Sequence, residues 1–470
     1  MRIYLLLLTL CFGVAAEAKT DTAKLYFSQV LQLVRENHPL AKQAALLPKQ
    51  GESYVRYNRG AFDPKAYFQQ RDKTFKAQQY YSETSAALTV PTWYGIDVKA
   101  GYENNTGLFL SPDMVTPGNG LSFVGVDVPL MRNVVTDARR TQLRQAQLYQ
   151  SQTLAMKNQL LNELTASVIN DFAGWYFAWK EQQTCTQAVA LLTDRMNVIR
   201  AEFIAGGKAA TDTIETYAQR GLFLLMLQEA RVKETKTRLM LGAHLWNADQ
   251  QPLEPVQGTV PEIAGIEFLD SMMRSYPDSA VAGNIQELQP QLLSMGLYVQ
   301  KNKLEANFRK QQLLPEIYLK YQALAPGYLD FGNSGTFAQN NRFGIGFSSS
   351  LFLRKERGDY QMAKLAWQES QLKLQQKTRD NVQKVGGLYQ QTKAYANMSK
   401  DFETISGLYY QLYENEKTRF TSGDATVFMV NMRETKWMET RLKLLEYQQK
   451  RIISLSDYLE QVGVLWQSLQ

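Results

Sequence analysis

Cysteine is nearly absent. The 470 residues hold two, Cys11 and Cys185. Residues 1–18 read as an export signal: Arg2 gives a positive start, 4–14 is an apolar run, and Ala16-Glu17-Ala18 fits a small-residue cleavage site. Cleavage would leave Cys185 alone and exclude an intramolecular disulfide. A lipid anchor on Cys11 is the weaker reading, because Leu10 stands where a lipoprotein signal wants a small residue. Histidine is as scarce, with only His38 and His244. His38 precedes Pro39 at an expected helix start and His244 lies beside Trp246, so both read as structural. No HExxH, GxSxG, P-loop or Cys/His cluster occurs, which leaves metal, acyl-transfer and nucleotide chemistry without a motif. No enzyme, metal or cofactor is expected. After the signal no window of about 20 apolar residues follows, so no membrane-crossing helix is expected. The net charge is +7 with a pI near 9.0. Lysine and arginine are interspersed with acids and form no long basic block, which argues against nucleic-acid binding.

Proline is missing from two long stretches, 131–251 and 327–470. Both are rich in Leu, Gln, Lys, Arg and Ala, and such runs read as helices far longer than the globular norm. In 136–246 the apolar residues Leu154, Leu161, Val168 and Trp175 recur every seventh position, with Leu164, Phe172 and Trp179 between them. That is a coiled-coil seam. The run breaks only at Ala205-Gly206-Gly207, where glycine permits reversal. A rising arm over 136–204 would be about 100 Å long at 1.5 Å per residue. Trp175, Tyr176 and Trp179 around Gly174 read as helix packing.

Ahead of the first long run the period changes. Residues 96–102 place Ile96, Val98, Ala100 and Tyr102 on one face, with Asp97, Lys99, Gly101 and Glu103 on the other. That is strand alternation. A second strand is expected over 121–130. Further strand-like pieces lie in 65–69 and 86–90, without a legible order around Pro91 and Gly95. Trp93, Tyr94, Tyr80 and Tyr81 fit either a membrane interface or strand turns.

The pattern then restarts. Pro290 stands ahead of Pro315 as Pro39 stands ahead of Pro64. Strands follow over 316–323 and 343–353; the second ends in Leu-Phe-Leu-Arg, where 121–130 runs into Pro-Leu-Met-Arg. A long helix over 359–419 reverses at Phe420-Thr421-Ser422-Gly423, as the first did at Phe203-Ile204-Ala205-Gly206. The chain is an internal duplication. Its expected segments are a signal peptide (1–18), N-terminal helices (19–63), which the resemblance given below would place in the periplasm, a first strand pair with outer loops (64–135), a first helical hairpin (136–246), an irregular segment (247–290), a second-repeat helix (291–314), a second strand pair (315–354), and a second hairpin with the C-terminus (355–470).

The well-formed strands are about ten residues long with one apolar face, the length and period of tilted transmembrane strands. A half-buried soluble sheet alternates in the same way. Long hairpins cannot cover such a sheet, however, and its loops are polar. About four strands cannot close, and an open edge cannot sit in lipid, so several chains must share one barrel.

The segments "PLMRN…DARRTQLRQAQ" and "LFLRKERGDYQMAKLA" after the strand pairs, with the tips "FIAGG" and "FTSGD", resemble those of the TolC-type outer membrane efflux proteins over essentially the whole mature chain. The resemblance implies a mixed α/β membrane protein. It would be a homotrimer whose long helical hairpins form a periplasmic α-barrel joined to a shared 12-stranded transmembrane β-barrel, about four strands per chain. It implies passive export through the outer membrane, with a periplasmic adaptor (membrane fusion) protein and an inner-membrane pump of RND or ABC type as partners. A type I protein secretion duct is the alternative, and a non-conducting periplasmic scaffold the more distant one.

The resemblance assigns adaptor docking to the tips: Phe203, Ala205 and Gly206, with Phe420, Ser422 and Gly423. Glycine merely making the turn is the plainer reading. Known members carry an acidic ring just past the second tip; here those positions are Met429 and Met432, with Asn431 between and Asp424 at the rim. An apolar gate and simple coiled-coil packing are both open. Arg139, Arg140 and Arg144, with Arg354, Lys355 and Arg357, sit at helix N-termini, where cations oppose the dipole. They fit a membrane-proximal basic ring facing outer membrane lipid phosphates or a neighbouring protomer's carboxylates; a solvated turn is the alternative.

Overall fold

The computed structural model describes residues 24–328 and 339–469. The expected signal peptide and Cys11 lie outside them. Two compact units are present, each assembled from separated stretches.

One unit comprises, among the described residues, Arg35–Ile169, 269–328, 339–397 and 450–469. It contains a six-stranded antiparallel sheet of β2 (Lys65–Phe75), β3 (Gln78–Pro91), β4 (Asp97–Thr106), β5 (Leu121–Pro129), β7 (Glu316–Pro326) and β8 (Asn341–Ser348), in that spatial order. The register carries the alternation across the sheet. Val90, Val98, Val126, Tyr321 and Phe343 form one row, and Leu88, Ala100, Val124 and Ala323 the next on the same face. The opposite face carries Asp97, Asp127 and Lys320 in one row and Thr89, Lys99, Gln322 and Arg342 in another. Ion pairs lace that polar face: Lys99–Asp127 at 2.6 Å, Arg342–Glu103 at 3.2 Å, and Arg71–Glu83.

The expected alternation is therefore present, but the strand number differs from expectation. The first half contributes four strands and the second two, against about four per chain in all. The pieces at 65–69 and 86–90 belong to one hairpin, β2–β3, whose turn is Lys76-Ala77 with both φ angles positive, 52° and 61°. A two-residue turn of that hand matches the twist of paired strands, but it is normally made by Asn-Gly. The last expected strand also ends early. β8 stops at Ser348, so Ser349 and Leu351 are not in it, and Leu353 turns into the next helix with φ 49°.

Helices frame the sheet within this unit. His38 caps α2 (Pro39–Arg59), its Nδ1 accepting from the Leu40 amide at 3.1 Å. α2 runs through Pro48 and packs on the start of α3 (Ala138–Ile204, 67 residues) through Val55, Phe62, Leu143 and Ala146. Asp137 caps α3 by accepting from the Arg140 amide at 2.8 Å, which satisfies an orphan N–H of the first turn. α7 (Pro290–Gln311) precedes β7, and α8 (Arg354–Thr421, 68 residues) follows β8. The C-terminal turn docks through Asn162, which accepts from the Leu465 amide at 2.9 Å and donates to the Glu460 carbonyl at 2.7 Å.

The other unit comprises, among the described residues, 24–34, Asn170–Phe268 and Met398–Gln449. It holds the far parts of α3 and α8, α4 (Ala210–Gly242) and the start of α9 (Val427–Val462). β6 (Val260–Glu262), in the stretch expected to be irregular, pairs in parallel with β1 (Lys24–Tyr26) near the start of the described chain; the same stretch goes on into α5 (Phe268–Ser275) and α6 (Asp278–Leu288), which fall almost wholly in the first unit. α4 stops at Gly242, short of the expected hairpin end at 246, and α9 stops at Val462. The core here is Cys185, Ala188, Leu192, Phe223, Leu227, Ala230 and Met438. Burial pushes the Cys185 thiol up to about 11, so the thiol stays protonated at neutral pH. Trp175 is fully buried and donates to Glu234 at 3.0 Å. Along α3, which runs through both units, the seam residues Leu161, Leu164, Val168, Phe172 and Trp175 are buried, whereas Leu154 is exposed.

Candidate functional site

The two helical reversals are built alike. At the first, Gly206 adopts φ +81° and its amide donates to the Phe203 carbonyl at 3.0 Å, while the Gly207 amide reaches back to Glu202 at 2.8 Å. At the second, Gly423 has φ +82°, its amide donates to Phe420 at 3.1 Å, and Asp424 reaches back to Arg419 at 2.9 Å. These paired bonds satisfy the last carbonyls of α3 and α8, and glycine supplies the left-handed residue. A Cβ on either glycine would meet no atom within 4 Å. The glycines therefore serve backbone conformation and leave the surface around them open.

The tips lie beside one another. Lys208, just past the first, places its ammonium 4.5 Å from the ring centre of Phe420 on the second. Phe420 is half-buried under that cation. Phe203, Ala205, Gly206, Ser422, Gly423 and Asp424 are exposed, as is Ile204. Past the second tip, α9 buries Val427, Val430, Asn431 and Glu434 and turns Phe428 and Met432 outward, with Met429 half-buried. The two methionines thus flank the packed face of the helix, and Asn431 does not lie between them on one surface.

A buried polar cluster lies on that packed face, and sequence reasoning missed it. Arg195 of α3 reaches both Glu434 carboxylate oxygens, at 2.7 and 3.3 Å, and also Asn431 at 3.0 Å and the Tyr413 hydroxyl at 3.1 Å. Glu434 is fully buried. Burial pushes its carboxyl up, opposed by the guanidinium and by Lys417. Burial and then the Glu434 charge push Tyr413 up to about 12. Arg195 thereby ties together α3, α8 and α9 some three turns from the tips.

The basic residues divide into two groups. Arg139 is held by Asp97 at 2.9 Å and Asp137 at 3.4 Å, and lies over the Phe62 ring. Arg140 donates to the carbonyls of Asn133 and Val134. Arg144 is exposed. Arg354, Lys355 and Arg357 are exposed at the start of α8, with Arg354 beside Phe352 at 5.3 Å. Trp93 and Tyr94 lie in the β3–β4 turn at the end of the sheet near α3, Trp93 stacked on Phe62 at 4.2 Å. Tyr80 lies at the opposite end, between Phe75 and Phe109. The second histidine, His244, pairs with Asp171 at 2.8 Å. Among the described residues, no helix is long and apolar enough to cross a membrane and no acid, His and Cys cluster could hold a metal ion.

No protein-family model and no curated protein sequence matches the chain. Solved structures do. The outer-membrane channel OprN is similar at TM-score 0.65 and 12% identity, covering 94% of this chain and 90% of its own. The CmeC outer membrane channel of Campylobacter jejuni gives 0.62 and 11%, over 93% and 85%. The MtrE outer membrane channel of Neisseria gonorrhoeae, solved in its open state, gives 0.62 and 12%, over 93% and 88%. Over more than nine-tenths of its length the chain therefore has the fold of the TolC-type outer membrane channels.

Proposed function

We propose that this protein is the outer membrane exit duct of a tripartite efflux system. It lies in the outer membrane, extends into the periplasm, and conducts substrates passively from an inner-membrane pump and a periplasmic adaptor to the exterior. It catalyses no reaction. Several copies, three by the resemblance, form the duct, because one sheet of this size cannot close and its edges cannot remain open in lipid. The observation that carries the reading is the pairing, in one chain, of two kinds of element. One is a sheet with an apolar row on one face and ion pairs on the other; the other is a pair of hairpins whose long arms have 67 and 68 residues. A soluble sheet has no need of such arms, and a scaffold has no need of such a sheet. The fold shared with outer membrane channels supports the same reading.

In this reading the paired tips meet the adaptor: Phe203, Ala205, Gly206, Phe420, Ser422 and Gly423 form an open surface on which another helical hairpin can approach closely. Phe428, Met429 and Met432 form the periplasmic constriction, which closes by excluding water, with Asp424 at its rim. Arg354, Lys355 and Arg357, with Arg144, face phosphates or carboxylates near the membrane. Detergent-extracted mass and single-channel conductance test this together. A trimer with small conductance that rises several-fold in Met429→Ala/Met432→Ala is expected. A water-soluble monomer without conductance would overturn the duct.

A further inference from the structure

We propose that the second unit holds a binding site for a drug-sized organic cation, in a cavity lined by α3, α4, α8 and α9. All of its lining residues belong to that unit, and none of the tip or constriction residues is among them. α9 reaches the cavity at Glu439, about 18 Å from its own start at 1.5 Å per residue. The site needs only these four helices, so it stands whether or not the chain conducts.

The cavity measures about 550 Å³, inside the range of small-molecule pockets, roughly 300–1,000 Å³. Its floor is apolar and held in place. Phe177 of α3 and Leu445 of α9 are 5% and 7% exposed. Met226 of α4 and Leu442 of α9 line the cavity and also pack on the core around Phe223, Leu227 and Met438. Phe402 of α8 is backed by Tyr447, stacked at 5.0 Å. Gln449 adds a polar group to this wall. Its side chain is half-buried and makes no hydrogen bond to a described residue. Half-buried amides of that kind are satisfied by water or by a ligand.

Charge sets the class of ligand. The more exposed side chains of the wall are Glu181, Glu439 and Glu446 against Lys233 and Lys443. Both lysines are already engaged, Lys233 with Glu181 and Lys443 with Glu446, each at 2.6 Å. Glu439 pairs at 2.8 Å with Lys436, which does not line the cavity. Its carboxylate is therefore the excess charge at the mouth. The rings of Phe177 and Phe402 push the same way, because the face of an aromatic ring attracts cations. An anion would find both ammoniums taken and three carboxylates around it. An aromatic amine or quaternary ammonium puts its rings on the apolar floor and its charge toward Glu439. A molecule held there touches both hairpins at once, and so stabilises the unit in this packing.

Ethidium, an aromatic cation whose emission rises in apolar surroundings, tests the site. It is titrated against the full-length protein in phosphatidylcholine nanodiscs, with empty nanodiscs as the blank and anilinonaphthalene sulfonate as an anion of similar size. Saturation at one ethidium per chain is expected, with a higher thermal unfolding temperature. Leu442→Trp and, separately, Met226→Trp fill the cavity from α9 and α4 and are expected to weaken binding at least about tenfold. Glu439→Gln, at an exposed position, is expected to weaken it about threefold. Ethidium that binds the parent and both tryptophan variants alike sits elsewhere and overturns the site. If the tryptophan variants fail to fold, Glu439→Gln decides alone. Sulfonate binding as tight as that of ethidium, or no effect of Glu439→Gln, overturns the cation class. Absence of saturable binding overturns the whole inference, since the cavity is then closed or filled by a second copy in the assembled protein. No arm reads conductance, so failure of the duct reading and failure of this site remain distinct.

Discussion

At the residue scale, the most consequential pair lies 239 positions apart in sequence, Arg195 and Glu434. A single arginine and a single glutamate on long helices look like members of solvated faces, and nothing in spacing joins them. Tertiary packing does, and it leaves both nearly or fully buried. Truncating one partner strands the other charge away from water, so Arg195→Ala is expected to lose about 3–5 kcal/mol of stability, measured by denaturant unfolding. Arg195→Met combined with Glu434→Leu leaves no stranded charge and is expected to recover most of that loss. Glu460 poses a different problem. Burial first, then the charges of Asp457 and Glu163, push its carboxyl up to about 7 from an ordinary 4.5. Between those values the folded chain holds a proton that the unfolded chain has released, so this group's contribution to stability falls as pH rises through the window. Thermal unfolding across it is expected to show Glu460→Gln matching the parent below pH 4.5 and exceeding it above pH 7.

At the element scale, the long helices and their reversals were legible because proline is absent, the apolar seam repeats, and each tip carries a glycine. The β2–β3 hairpin was not. Its turn, Lys76-Ala77, has none of the residues that favour positive φ. Its outer half, Gln69-Gln70-Arg71-Asp72-Lys73, is polar on both faces, so alternation gives no signal. Pairing with β4, rather than local preference, makes it a strand. The three-residue pair β1–β6 is likewise too short to show a period. Glycines that read alike in sequence also separate once packed. On Gly51 of α2 a Cβ would come 2.5 Å from Thr153 Oγ1 and 2.9 Å from the Gln150 Cα of α3. Gly51→Ala must therefore move one helix off the other, at about 1–3 kcal/mol. Gly423→Ala meets open space and costs only the left-handed conformation, about 1–2 kcal/mol, at a tip that can fray without unfolding the rest. Hydrogen exchange separates the two, with broad loss of protection along α2 and α3 in the first variant and loss confined to the tip in the second.

At the scale of the whole molecule, the two faces of the sheet are distinguished by the solvent each can tolerate. Val124 and Ser85 are both in interior strands, on opposite faces, and differ in their neighbours. Val124 lies between Ala100 and Ala323 in the apolar rows, whereas Ser85 lies directly opposite Glu103. In a soluble sheet, whichever face packs on a core would reject a charge for want of space. In a barrel wall the apolar face rejects it because lipid cannot solvate it, and the polar face accepts it because water and counter-charges are present. The penalty for arginine on the lipid face is about 2–4 kcal/mol near the bilayer midplane. Val124→Arg is therefore expected to cut the amount of folded protein recovered from the outer membrane, while Ser85→Arg is recovered like the parent and pairs with Glu103. The comparison in detergent sharpens the point. If lipid sets the penalty, Val124→Arg regains stability in micelles, where water and headgroups reach the charge; if a packed protein core sets it, the loss persists in any solvent, and the apolar face would have to be covered by protein instead of membrane.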